Sequence, residues 1–178
     1  EQLARLAPIL SRLGRDVRLV GEVGQAAALK LALNQLIGSL TAAFATSLAF
    51  ALASGVSPEL FMDVLRPSAL YAPTFDKKLG KMLSGDYRNP NFPLEHMLKD
   101  VDLFVRAAER DGVGTAIPRA AAEVVRRALD LGLAGLDYSA LARGVEPARE
   151  DGPPIVSDPR APGPPVHLND GTEAPARV

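Results

Sequence analysis

From Leu31 to Pro58 the chain carries no charged residue. So long an uncharged run passes the length test for a membrane-spanning helix, and the other reading is a helix buried inside a folded domain. Its contents favour the second. The run is rich in Ala, Ser, Thr and Gly, with Asn34 and Gln35 near its start. It has no Trp or Tyr at either end and no flanking basic cluster. Membrane spans use such anchors. The expectation is therefore a helix buried on nearly all sides of a helical domain, with no membrane partner. Val23 to Ser54 contains no proline and is Ala-rich, which predicts one helix of roughly 45–50 Å.

Around this helix the pattern is helical throughout. Leu3, Leu6, Ile9, Leu10 and Leu13 recur at helical spacing, predicting a helix over 1–13 with Pro8 as its possible true start and Gly14 as its end. Val17 to Val20 is a short apolar run closed by Gly21 and reads as a strand. Ser57-Pro58-Glu59 combines an N-cap, a proline at the first helical position and an acid in the first turn. Further helices are expected over 74–83, over 94–110, from Pro118 to about Leu131, and briefly over 137–143, with a loop from Asp86 to Pro93. Beyond Val145, eight prolines fall in a stretch without Phe, Tyr or Trp. Such a composition cannot offset the entropy of ordering, so 146–178 reads as a disordered tail. The fold class expected is all-α, a helical bundle around one long central helix.

Composition excludes several functions. The chain has no cysteine, which removes disulfides, thiolate catalysis and Cys-ligated metal, and is compatible with a cytoplasmic protein. Its two histidines, His96 and His167, are far apart, so no metal site is expected. A formal net charge of −1 gives no reason to expect nucleic acid. The chain opens on Glu1 without a basic start and apolar core, so no signal peptide is expected and a piece of a longer protein is.

Two clusters carry possible chemistry. Lys30 stands in the apolar stretch Ala26-Ala27-Ala28-Leu29-Lys30-Leu31-Ala32-Leu33, with Asn34 one helical turn on. A lysine can move a proton to or from a substrate oxygen, and an asparagine can orient that oxygen. The plain alternative is a solvated lysine beside an Asn that satisfies a neighbouring helix. The second cluster is Asn91-Phe92-Pro93-Leu94-Glu95-His96-Met97-Leu98-Lys99-Asp100, for which the plain alternative is a solvated charged face. Neither a GxGxxG fingerprint nor a P-loop is present.

These two clusters together resemble the β-hydroxyacid dehydrogenases. Gly21-Glu22-Val23-Gly24, followed by Lys30 and Asn34, is similar to the family's catalytic motif, although a glycine often stands where this chain has Ala26. The stretch from Phe92 to Asp100, with Leu131-Gly132-Leu133 and Leu136-Asp137-Tyr138-Ser139-Ala140, looks most like the glyoxylate and succinic semialdehyde reductase branch. Imine reductases resemble the family in fold but usually lack the lysine. The resemblance implies a C-terminal domain like that of 6-phosphogluconate dehydrogenase over 21–145. Residues 1–20 would be the last helix and strand of a missing N-terminal Rossmann domain. It implies NAD or NADP as cofactor and a small semialdehyde or β-hydroxyacid as substrate. Lys30 would be the catalytic acid/base, Asn34, Phe92 and Asp100 would bind substrate, and Lys99 would contact the cofactor. It also implies a homo-oligomer formed through the helical domain, and no turnover by this chain alone. A non-catalytic dimerisation module with a vestigial site is the alternative.

Overall fold

The computed structural model describes residues 2–14 and 16–145. The expected tail over 146–178 lies outside the described residues. Six α-helices follow in order: α1 Gln2–Leu10, α2 Gln25–Ala53, α3 Pro58–Leu65, α4 Pro73–Ser84, α5 Leu94–Arg110 and α6 Ala116–Asp130. A 3-10 helix, Tyr138–Gly144, ends the described chain. Most bounds fall within two residues of those expected. Pro8 lies inside α1 rather than at its start. Likewise α6 begins two residues before Pro118, where a proline is tolerated because first-turn amides have no helical acceptor.

The expected strand at Val17 to Val20 does not form, and no strand occurs among the described residues. A four-residue apolar run has no ladder without a second strand beside it, and Val17, Leu19 and Val20 all stand exposed. Helix α1 likewise packs against no other element among the described residues.

The core lies between α2, α5, α6 and the 3-10 helix. Leu48 of α2 meets there with Met97, Val101 and Val105 of α5, Ala122, Val125 and Ala128 of α6, and Leu141. Each large apolar side chain buried in this way contributes about 1.5–3 kcal/mol. Phe44 of α2 stacks on Phe75 of α4 with ring centres 4.5 Å apart. Helix α5 approaches α2 closely at Gly38, where an added Cβ would meet Met97 Sδ at 3.0 Å and Val101 Cγ2 at 3.3 Å. Ser57 caps α3 as expected, its side chain accepting from the Leu60 amide at 3.2 Å.

Helix α2 corrects the expectation of burial on nearly all sides. Its buried residues are Gly38, Thr41, Ala42, Phe44, Ala45, Leu48 and Ala51, all from Gly38 onward. The half from Gln25 to Ile37 is exposed or half-buried, and Leu29, Leu33, Leu36 and Ile37 present apolar surface. The helix is long and apolar enough to cross a membrane, a test that the core helix of a folded domain also passes. It bridges two environments, one supplied by α5 and α6 and one not supplied by any described element.

Candidate active site

Gly21 and Gly24 govern the entry into α2. Both have positive φ, 144° and 100°, a region that suits glycine and strains other residues. Gln25 bends back so that its side-chain oxygen accepts from the Glu22 amide at 3.1 Å, and the Gly24 carbonyl takes the Ala28 amide at 2.9 Å. The turn starts a helix whose second turn carries Lys30 and whose third carries Asn34.

Asn34 reaches across to α5. Its Nδ2 donates to Asp100 Oδ2 at 2.7 Å. The other oxygen of Asp100 lies 3.4 Å from Lys99 Nζ. Asp100 is buried while Lys99 is mostly exposed, so the carboxylate is anchored inside and the ammonium stands at the rim. Asn34 keeps one N–H and its carbonyl oxygen beyond this bond. This bond is the one that the plain reading, an asparagine satisfying a neighbouring helix, expects. Lys30 is exposed and makes no hydrogen bond or ion pair with the described residues.

Phe92 stands two residues before α5. Its ring lies 6.2 Å from that of His96 and 6.1 Å, edge to face, from that of Tyr138. The amides at the start of α5 have no side-chain cap. The Leu136 carbonyl takes the Leu94 amide at 2.8 Å and the Ala134 carbonyl takes the Glu95 amide at 3.1 Å. The segment before the 3-10 helix therefore fixes where α5 starts. The structure brings Asn34, Lys99 and Asp100 into direct contact, sets Lys30 one turn from Asn34, and holds Phe92 at the head of the helix bearing the other two.

Sequence reasoning missed a buried polar group nearby. Lys78 Nζ lies 3.0 and 2.9 Å from the two carboxylate oxygens of Asp137, and both residues are buried. Burial alone would push the Asp137 carboxyl up, but hydrogen bonds from Lys78 and Ser139 hold it below its ordinary value. The signals available were Lys78 at i+3 from Phe75 in an apolar periodicity and Asp137 in the stretch that resembles the reductase branch; neither pointed to the other. Among the described residues no group of three His, Asp or Glu side chains could hold a metal.

A family model described as "NAD-binding of NADP-dependent 3-hydroxyisobutyrate dehydrogenase" matches residues 24–145. The chain belongs to this family. The match takes in the first motif from Gly24 onward, with Lys30 and Asn34, and all of the second, and it bears out the resemblance to β-hydroxyacid dehydrogenases. Arabidopsis thaliana glyoxylate/succinic semialdehyde reductase 1 is 35% identical over 143 residues, 80% of this chain and 49% of the relative. The cytokine-like nuclear factor N-PAC of Homo sapiens is 32% identical over 131 residues, 74% of this chain and 24% of that protein. The chain spans about half the length, or less, of the curated relatives it matches. A solved 3-hydroxyisobutyrate dehydrogenase from Salmonella typhimurium superposes with a TM-score of 0.72 at 23% identity, over 79% of this chain and 50% of that one. At that identity the likeness establishes the fold, and the all-α expectation holds.

Proposed function

We propose that this chain is the helical half of an NAD(P)-dependent β-hydroxyacid dehydrogenase that reduces a small semialdehyde or glyoxylate, or oxidises the corresponding hydroxyacid. The observation that carries the reading is the 2.7 Å bond from Asn34 to Asp100. It joins two motifs 66 positions apart at one place, where Lys99 also stands.

Each side chain then has a task. Lys30, on the face of α2 shared with Asn34, protonates the oxygen of the carbonyl as charge develops on it, and takes the proton back in the reverse direction. Asn34 orients that oxygen with its remaining N–H. Phe92 and Asp100 wall the closed site. The exposed ammonium of Lys99 fits a contact to a nicotinamide cofactor, which when bound supplies or accepts the hydride. No glycine-rich phosphate loop occurs in this sequence, so the rest of the cofactor site must come from a preceding nucleotide-binding domain. Three features support that partner: the match covers only 49% of the reductase relative, α1 packs against no other described element, and the first half of α2 presents Leu29, Leu33, Leu36 and Ile37 outward. The same apolar half would serve a homo-oligomer.

A second reading is a non-catalytic association module. It is favoured by the same domain's occurrence in a protein named as a nuclear factor. Lys30 separates the two. Joined to a nucleotide-binding domain upstream, the chain is expected to oxidise NADPH or NADH in the presence of glyoxylate or succinic semialdehyde. Lys30→Ala should then lower kcat by at least about 100-fold. Turnover indifferent to Lys30, or none with any small aldehyde, would leave the association module standing. The chain by itself is expected to show no turnover, and aldehyde reduction by it alone would refute the need for a second domain.

A further inference from the structure

Lys78 on α4 and Asp137 at the head of the 3-10 helix have no part in the chemistry above, yet they form the one ion pair among the described residues with both side chains buried. Asp137 Oδ1 also accepts from the Ser139 amide at 3.1 Å and from Ser139 Oγ at 2.7 Å. The Lys78 ammonium sits 4.3 Å from the centre of the Tyr138 ring, whose hydroxyl is 3.1 Å from Thr74 Oγ1. A buried ion pair adds little stability over well-packed apolar side chains of the same volume. What it adds is direction, and here the direction leads to Phe92.

Main-chain bonds tie the residues that Lys78 holds to the loop before α5. The Asp137 amide donates to the Tyr87 carbonyl at 2.9 Å, and the Tyr138 amide donates to the Phe92 carbonyl at 2.9 Å. The Tyr138 ring meets the Phe92 ring edge to face. Phe92 is therefore held on its main chain and on its ring by the same residue, and that residue is gripped by Lys78 and Asp137.

We propose that Lys78 and Asp137 are positioning residues that hold Phe92 and the first turn of α5 at the candidate site. The positioning is a property of this chain, and only its effect on turnover rests on the function proposed above. Amide hydrogen exchange on the chain tests it directly. The variant K78M/D137N removes both charges and leaves an acceptor for Ser139. In it, the Tyr138 and Leu94 amides are expected to exchange at least 10-fold faster relative to the Val101 and Val125 amides of the core than they do in the parent chain. An equal change at all four amides, no change, or a variant that does not fold would assign the pair to general stability and overturn the proposal. In the two-domain enzyme, the same variant is expected to raise KM for the aldehyde about 10-fold with KM for the cofactor unchanged. The effect should vanish in a Phe92→Ala background, because the pair acts through Phe92; an effect that persists there would overturn the proposal. A parent enzyme indifferent to Lys30 would defeat the proposed function while the exchange result still decides the positioning, so the two failures are distinct.

Discussion

Asp137 is the carboxylate whose protonation this fold should feel most. Its pKa is depressed, so the folded chain binds its proton less readily than the unfolded chain. The stability it contributes is fully present above the ordinary carboxylate range, about pH 4. It is lost as pH falls through the lower folded value. Among the described residues three other carboxylates are depressed for local reasons: Asp86 by hydrogen bonds from Arg88, Asp76 by Arg66 and Tyr71, and Glu109 by Arg119 and Thr115. Those pairs lie at the surface, where salt screens them. Urea midpoints measured at high salt between pH 7 and pH 2 should therefore fall with a slope due chiefly to Asp137, and Asp137→Asn should flatten it. An unchanged slope in that variant would mean that the pair with Lys78 does not differ between the folded and unfolded chain. Removing only the lysine is the harsher change. Lys78→Met strands a buried carboxylate and should cost about 3–5 kcal/mol at pH 7, measured by urea unfolding.

At the scale of elements, the 3-10 helix lies so close to α6 that glycine is required between them. A Cβ at Gly144 would fall 2.0 Å from the Val124 carbonyl oxygen, with the Val124 carbonyl carbon at 3.0 Å and the Ala128 amide nitrogen at 3.2 Å. These are main-chain atoms and cannot swing away, so Gly144→Ala must push the two elements apart and should cost about 3 kcal/mol of stability. At Gly38 the opposing atoms belong to side chains rather than to the main chain, the nearer being Sδ of the flexible Met97, so Gly38→Ala should cost less than half as much. Thermal unfolding of the two variants side by side checks the order. The same elements mark what a sequence can disclose. Ser57-Pro58-Glu59 announced the start of α3 because a cap is local chemistry, and the uncharged run announced α2 because its length left few alternatives. Val17 to Val20 misled because a strand exists only with a partner, which periodicity does not reveal. Lys30, Asn34, Lys99 and Asp100 were legible through their resemblance to a family motif. The bond between Asn34 and Asp100 and the pair of Lys78 with Asp137 were not, since 66 and 59 positions separate the partners and only the fold brings them together.

The whole molecule is asymmetric about Gly38. On one side α2 is gripped by α5, α6 and the 3-10 helix; on the other it extends about 20 Å, at 1.5 Å per residue, with little of the described chain laid against it. An isolated helix of that length is marginal in water, and helices in proteins owe most of their stability to packing on an apolar face. The candidate site falls at the boundary, because Lys30 lies in the uncovered half and Asn34 at its edge against α5. On the function proposed above, the geometry around Lys30 would be completed when a partner covers Leu29, Leu33, Leu36 and Ile37. Hydrogen exchange along α2 should divide in the same place. In this chain, amides from Thr41 to Ala51 are expected to be protected nearly to the level of global unfolding, and those from Ala28 to Leu33 to exchange at least 100-fold faster. Attaching a nucleotide-binding domain upstream should raise protection at Ala28 to Leu33 and leave Thr41 to Ala51 unchanged. If the first half is already as protected as the second in the chain at a concentration where it is monomeric, α2 needs no partner to hold Lys30 in place. If protection there rises with chain concentration instead, a second copy covers that face, and the helical domain assembles its site on itself.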